Sequence, residues 1–331
     1  MPFGVLASGS GSSQFVDLDV PAWAWLVTLA VIIGLLLFDI LVLNRQPHAP
    51  TFRRAAIETA GWIAVGVTFG IVVIASFGTA AGGEWFSGYL IEYSLSIDNV
   101  FVWALIFTFF AVPALYQHRV LFWGIFGALV LRAVFIFAGV ALITKFEWIL
   151  YIFGAFLLYT AVRLLRGHDS EIDPEHNVAY RAVRKVVPST NELDGQKLFT
   201  HVDGKLLATP LFAVLVLVET TDVLFAVDSV PAVLAVSREQ FIVFTSNAFA
   251  ILGLRALYFL LADLHARFTY LQQGLAVILA FVGVKMIIAH WYEIPGAVSL
   301  LVIAIVLAVS IVASLRYGKS DNPDDDIELV R

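Results

Sequence analysis

The chain contains no cysteine. Disulfides, thiolate metal sites and cysteine nucleophiles are therefore excluded, and the redox compartment is left undetermined. Charge is also scarce: 14% of residues are Asp, Glu, Lys or Arg, against the roughly 25% typical of a soluble domain. Hydrophobic residues make up 60% of the 331 and mean hydropathy is +0.89. Such a chain is a polytopic membrane protein with the lipid bilayer as its solvent. The net charge of −6 is modest and concentrated at the C-terminus, which argues against a nucleic-acid partner. Nucleophile elbows, phosphate loops, zinc-protease motifs and Ser/His/Asp groupings are all missing, so the chain does not read as an enzyme. Residues 1–20 are Gly/Ser-rich, with Asp17 and Asp19 but no Lys or Arg. They lack the positive n-region of a secretory signal and read as a retained, flexible extracytoplasmic tail.

Apolar runs of about 20 residues predict nine transmembrane helices, near 22–43, 56–77, 86–110, 120–142, 147–166, 209–236, 240–262, 269–290 and 296–316. The expected fold class is all-α. Segments following the first, third, fifth, seventh and ninth helices hold fourteen Lys and Arg, including Arg45, Arg53, Arg54, Arg119, Arg181, Arg184, Lys185 and Arg267. The other side holds only Lys145 and Arg238. The positive-inside rule then puts the N-terminus outside and the C-terminus in the cytoplasm.

An internal repeat relates two helix triplets. Glu92 and Asp98 recur 130 residues later as Asp222 and Asp228. Leu131-Arg132-Ala133 recurs at an offset of 123 as Leu254-Arg255-Ala256, and Val162-Arg163-Leu164 at 122 as Val284-Lys285-Met286. The first repeat covers 86–166 and the second 209–290, with inverted topology because helix 3 runs inward and helix 6 outward. Residues 21–166 thus carry helices 1–5 and residues 209–316 carry helices 6–9. The hydrophilic segment 167–208 is placed in the cytoplasm, with an amphipathic helix over 175–187 and a hairpin around Asp203-Gly204. His168, Asp169, Asp173, His176 and His201 there offer metal ligands near a pore mouth, although a solvated linker accounts for them more simply. Residues 317–331 read as an acidic cytoplasmic tail.

The chemistry concentrates in two stretches, Glu92-Tyr-Ser-Leu-Ser-Ile-Asp98-Asn99-Val100 and Glu219-Thr-Thr-Asp222-Val-Leu-Phe-Ala-Val-Asp228-Ser229-Val230. An ionised carboxylate in a membrane span costs several kcal/mol unless something offsets it, so five of them need a reason. At 100° per residue, Glu92 and Asn99 lie about 20° apart on one helix face, with Ser96 close by. Asp222 and Ser229 repeat that relation, with Glu219 on the same side. Asp98 and Asp228 fall about 120° from their partner acids. Either the helices unwind, which Pro231 would favour beside Asp228, or the acids form two layers along a path. Carboxylates with Asn99, Ser229, Thr220 and Thr221 form an all-oxygen ligand set suited to Mn²⁺, Ca²⁺ or Mg²⁺. Arg132, Arg255 and Lys285 are the expected counter-charges. Asn247 reads as a ligand or, more simply, an interhelical hydrogen bond. Protons held by the empty site and displaced by the metal would couple cation movement one way to proton movement the other.

The less favoured alternative is that the same acids pair with the intramembrane cations merely to fix helix register. Asp39 and Glu58 read as snorkelling or as partners of Arg53 and Arg54, and Asp263 with Arg267 as an ordinary i, i+4 pair.

The two acidic stretches, together with Phe244-Thr-Ser-Asn247 through Arg255, resemble the TerC/Alx family of integral membrane proteins over about residues 20–316. The resemblance implies manganese export across the bacterial cytoplasmic membrane, kinship with LysE-type exporters, and a link to metallation of exported enzymes. A protein partner such as the secretion machinery would accompany that link. It places the family's intramembrane acids on Glu92, Asp98, Glu219, Asp222 and Asp228. A membrane scaffold or assembly factor, tied to tellurite resistance or to metallation, is the rival expectation. Direct tellurite handling fits poorly, since five carboxylates repel an oxyanion. Oligomeric state is left open.

Overall fold

The computed structural model describes residues 15–43, 51–146, 148–166, 187–190, 193–202, 205–261, 270–288, 291–292 and 294–317. In lipid the backbone has no water to bond, so helices that satisfy their own N–H and C=O groups are the available solution for an apolar chain of this kind. The helices are α1 (Ala22–Phe38, continued as a π turn over Asp39–Leu43), α2 (Phe52–Phe77), α3 (Thr79–Phe109), α4 (Ala114–Lys145) and α5 (Ile149–Leu165). After a two-stranded hairpin come α6 (Pro210–Leu234), α7 (Gln240–Leu252), α8 (Leu254–Leu261), α9 (Leu271–Ile288) and α10 (Gly296–Tyr317).

Among the described residues, five helices are long and apolar enough to span a bilayer, α7 and α8 add a sixth span bent by 42°, and α5, α9 and α10 contain shorter apolar stretches. Together these occupy the nine expected positions. Two spans begin earlier than the hydropathy pattern suggests, α3 at Thr79 and α4 at Ala114. Hydropathy marks only the lipid-embedded part, whereas hydrogen bonding carries each helix on to its breaker: Gly78 at φ +93° before α3, and Pro113 before α4. The turn after α3 has Ala111 at φ +47°, with the Val112 amide donating to the Phe107 carbonyl at 2.9 Å. This is the left-handed reversal by which helices commonly stop. Gly253 sits at the break between α7 and α8.

Of the five long spans α3 is the most buried, with 73% of its apolar window inside the protein against 22% for α1 and α2. Around it pack α2, α6, α7, α8 and α10. Exposed side chains such as Leu26, Ile33, Ile71, Leu301 and Ile305 line the outer faces of α1, α2 and α10, as lipid contact requires.

Helix packing obeys an exchange of α3, α4, α5 with α6, α7–α8, α9: α3 packs on α7 as α4 packs on α6, and α5 packs on α9. Gly88 of α3 faces Ser246 of α7, and Val218 of α6 faces Gly124 of α4. The counterparts Gly88 and Val218 are 130 residues apart, the acid offset, and Gly124 and Ser246 are 122 apart, one short of the arginine offset of 123. Where α5 crosses α9, a Cβ on Gly154 would lie 2.9 Å from the Gly283 carbonyl oxygen, and a Cβ on Gly283 2.9 Å from that of Gly154. The two glycines are 129 apart. The Arg163 and Lys285 pairing at 122 therefore misses this register by seven residues, about two helical turns, and those two cations are not structural counterparts.

At one end of the bundle, strands β1 (Phe199–Val202) and β2 (Lys205–Ala208) pair antiparallel as the expected hairpin. Asp194 beside it accepts from Lys197 at 2.8 Å and Thr200 at 2.6 Å, and those bonds hold its carboxyl below the usual range. The Asp203-Gly204 turn, the helix expected over 175–187, the residues 263–267 and the acidic tail lie outside the described residues. At the other end the N-terminal segment is docked, which corrects the reading of all of 1–20 as a flexible tail. The Val16 amide donates to Glu84 at 2.8 Å and the Leu18 amide to Glu239 at 3.3 Å. The Phe15 ring lies 4.9 Å from the Arg238 guanidinium and 5.9 Å from the Lys285 ammonium.

The glycine crossing yields a direct test. Gly154→Ala should lower the melting temperature in detergent, since overpacking of this sort costs about 1–3 kcal/mol. Gly83→Ala, with nothing within 4 Å of the new methyl, should not lower it. Equal melting of the two variants would refute the close crossing.

Candidate intramembrane ion site

Glu92, Ser96 and Asn99 of α3 are 0, 0 and 1% exposed, so the seven-residue spacing does bring them to one inward face. Asp222 and Ser229 of α6 are equally buried, at 2 and 1%. These two faces meet at Arg132 of α4, itself 2% exposed. One guanidinium nitrogen, Nη1, donates to Glu92 Oε1, to Ser229 Oγ at 3.0 Å and to Asn247 Oδ1 at 3.3 Å. The other, Nη2, donates to Asp222 Oδ1 at 3.4 Å. Glu92 is held further by Ser96 at 2.9 Å and by the Asn247 amide of α7 at 2.8 Å. Four helices thus converge on one cation between two carboxylates, a geometry in which arginine's rigid fork suits it better than a point charge. Asn247 makes interhelical hydrogen bonds, the simpler of its two expected roles.

The network is incomplete on one side. Asp222 Oδ2, Arg132 Nε and both polar atoms of the Asn99 amide are buried with no hydrogen-bond partner. A buried polar group left unsatisfied costs about 1–3 kcal/mol. A cavity of about 90 Å³ adjoins Asn99 and Arg132, bounded further by Ser229 and Thr160 on its polar side and by Leu95 and Phe225 among its apolar walls. It is roomy enough for several waters, each needing roughly 10–15 Å³ of such volume.

Glu219 stands apart from this network. Half buried, its carboxylate fills the space a side chain at Gly127 of α4 would occupy, Oε1 lying 2.0 Å from an ideal Cβ there. The backbone at 98 and 228 is helical, so local unwinding does not occur at either acid and α6 runs through Pro231 as one helix. The side chains of Asp98 and Asp228 lie outside the described residues. Among the described residues, no group of three or more His, Cys, Asp or Glu is placed to hold a metal ion; Arg132 lies between Glu92 and Asp222.

Two expected counter-charges serve elsewhere. Arg255 of α8 pairs with Asp39 at the end of α1, both buried, and among the described side chains it makes no ion pair with Glu92, Glu219 or Asp222. Asp39 is therefore buried rather than snorkelling, with Arg255 as its described partner. Glu58 does meet Arg54, at 2.9 Å. Lys285 of α9 donates to Ser299 of α10 at 2.9 Å and lies toward the docked N-terminal end. There Glu84 accepts from Ser237 at 2.7 Å as well as from Val16, and burial raises the Glu239 carboxyl above its usual range. Sequence reasoning missed this second polar cluster. Its available signals were Glu84 inside an apolar run and the apolar alternation Phe15-Val16-Asp17-Leu18 in an otherwise polar tail.

Helices in these numbers around buried, paired charge define a multi-pass integral membrane protein with an intramembrane polar centre. Residues 77–322 match the Integral membrane protein TerC family, and the chain belongs to that family. It is 48% identical over 303 residues to an uncharacterized membrane protein of Myxococcus xanthus, covering 91% of this chain and 95% of that one. It is 45% identical over 293 residues to Alx of Escherichia coli K12, whose name proposes a membrane-bound redox modulator, covering 86% and 91%. A membrane protein of Rickettsia bellii is 39% identical over 292 residues, covering 88% and 97%. No solved structure matches.

The Asp39–Arg255 pair carries its own prediction. Asp39→Ala leaves a buried guanidinium without this carboxylate and should cost about 3–5 kcal/mol, read as a large fall in melting temperature. Asp39→Leu with Arg255→Met should recover most of it. A single variant that melts like the wild type would show the pair to be loosely held.

Proposed function

We propose that the protein exports a divalent cation, Mn²⁺ before Ca²⁺ or Mg²⁺, across the bacterial cytoplasmic membrane. The observation that carries this reading is the convergence of Glu92 and Asp222, one from each acid-bearing helix, on a single buried cation beside a cavity. Hard oxygen donors without partners, Asp222 Oδ2 and Asn99 Oδ1, border that region, and oxygen ligands suit these metals. Glu92, Asn99, Asp222 and Ser229 form the described part of the path, with Asp98, Asp228 and Glu219 as its further acids. Exchange for protons follows from carboxylates that change protonation as the cation comes and goes. The fourteen-to-two distribution of Lys and Arg supports an N-terminus outside and a C-terminus in the cytoplasm. A relative's name proposes a redox modulator, and thiol–disulfide exchange has no cysteine here to act through. The rival is a membrane scaffold serving metallation or the secretion machinery, in which the charges only fix helix register.

Transport in proteoliposomes separates the two. Purified protein should carry Mn²⁺ down its gradient, with Ca²⁺ and Mg²⁺ as competitors, and a pH indicator should report counter-moving protons. Asp222→Asn should melt within a few degrees of the wild type and lose at least ten-fold in flux. A wild-type flux no greater than that of empty liposomes would overturn the transport reading.

A further inference from the structure

We infer that Arg132 is a tethered stand-in for the transported cation: it holds Glu92 and Asp222 in the ion-free state and is displaced into the adjoining cavity when the ion binds. The inference rests on the transport reading and adds the residue that competes with substrate for its ligands.

Position is the first ground. The Arg132 guanidinium contacts the acid of each repeat, Glu92 and Asp222, together with Ser229 and Asn247, which are the oxygen donors an incoming divalent ion would need. Ion and guanidinium cannot share them at hydrogen-bond or coordination distance. Charge balance is the second. With the guanidinium in place, the two carboxylates carry one compensating positive charge. A divalent ion supplies two and neutralises both carboxylates alone, so the guanidinium is no longer held there by them and needs other acceptors nearby.

The third ground is a destination. Asn99 is 1% exposed and neither its carbonyl nor its amide group has a partner, although buried polar groups are nearly always bonded. It lines the same cavity as Arg132, with Ser229 and Thr160. An amide oxygen left unbonded next to an empty volume, one side chain away from a guanidinium, is an acceptor prepared for a second position of that guanidinium. The unpartnered Arg132 Nε is the donor that would gain most from the move. Arginine stays protonated throughout, so the exchange is of one cation for another and requires no proton from this residue.

The test measures Mn²⁺ affinity of purified protein in detergent by calorimetry, alongside melting temperature. Arg132→Gln removes the competitor and should bind Mn²⁺ at least ten-fold more tightly than wild type, while proteoliposome flux falls because release is no longer assisted. Arg132→Lys keeps the charge but cannot bridge both carboxylates, and should tighten binding about three-fold; it decides alone if the Gln variant does not fold. Unchanged or weaker binding in the folded variants, as a merely structural arginine would give, overturns the inference while leaving transport standing. Wild-type protein that neither binds nor carries Mn²⁺, Ca²⁺ or Mg²⁺ at millimolar concentration overturns the transport reading, and this inference with it.

Discussion

An ionised side chain surrounded by hydrocarbon has to be matched by a group held rigidly nearby, and the packing of this protein is arranged to meet that demand. Arg132 draws α3, α4, α6 and α7 together because its partners Glu92, Ser229, Asp222 and Asn247 come from the three neighbouring helices. Asp39 and Arg255 do the same for the end of α1 and α8. Lys285 and Ser299 join α9 to α10. Apolar contact alone discriminates weakly between helix arrangements in lipid, where every face is equally content, whereas each of these polar contacts admits few alternatives. The charged residues are therefore the registration marks of the bundle as well as its chemistry.

The exchange of α3–α5 with α6–α9 is respected by packing yet broken by chemistry. Arg132 and Arg255 occupy corresponding places in Leu-Arg-Ala segments, and both are buried at 2–3% exposure. One sits between the acids of the two repeats; the other is drawn outward by Asp39, which belongs to a helix outside the repeat. A symmetric centre with two guanidinium groups would neutralise Glu92 and Asp222 fully. Diverting one arginine to α1 leaves the centre with one cation for two carboxylates, and that imbalance is what gives a further positive charge somewhere to go.

Helix number, the meeting of α3 with α6 and the inward face of Glu92, Ser96 and Asn99 were legible from residue order, because hydropathy sets length and the 100° step sets azimuth within one helix. The placement of cations was not. Arg255 and Asp39 are 216 residues apart, and spacing within a helix says nothing about which neighbour it will face. Matching Arg163 to Lys285 failed for a related reason: a lone cation in an apolar span is a weak register mark, while Gly154 and Gly283, invisible to a charge-based comparison, are fixed by the closeness of two backbones. The docked segment at Phe15 was hidden by the Gly/Ser composition before it. Its anchoring depends on carboxylates at Glu84 and Glu239 that only the folded bundle brings to one end.

A register-setting role and a transport role make different demands on the same charges. An ion-pair network retained only for packing is most stable when each donor and acceptor is satisfied, since in a low dielectric every orphan is penalised. Glu92 meets that standard, with Arg132, Ser96 and Asn247 around it. Asp222 does not, and Asn99 meets it with neither of its atoms. Within this centre, two of the residues with unsatisfied atoms, Asn99 and Arg132, line one cavity. Close packing would readily have removed that volume by a larger neighbour, as the Glu219 side chain fills the space beside Gly127. Its persistence next to the only arginine bridging both repeats among the described residues argues for a site with two occupancies rather than a fixed strut.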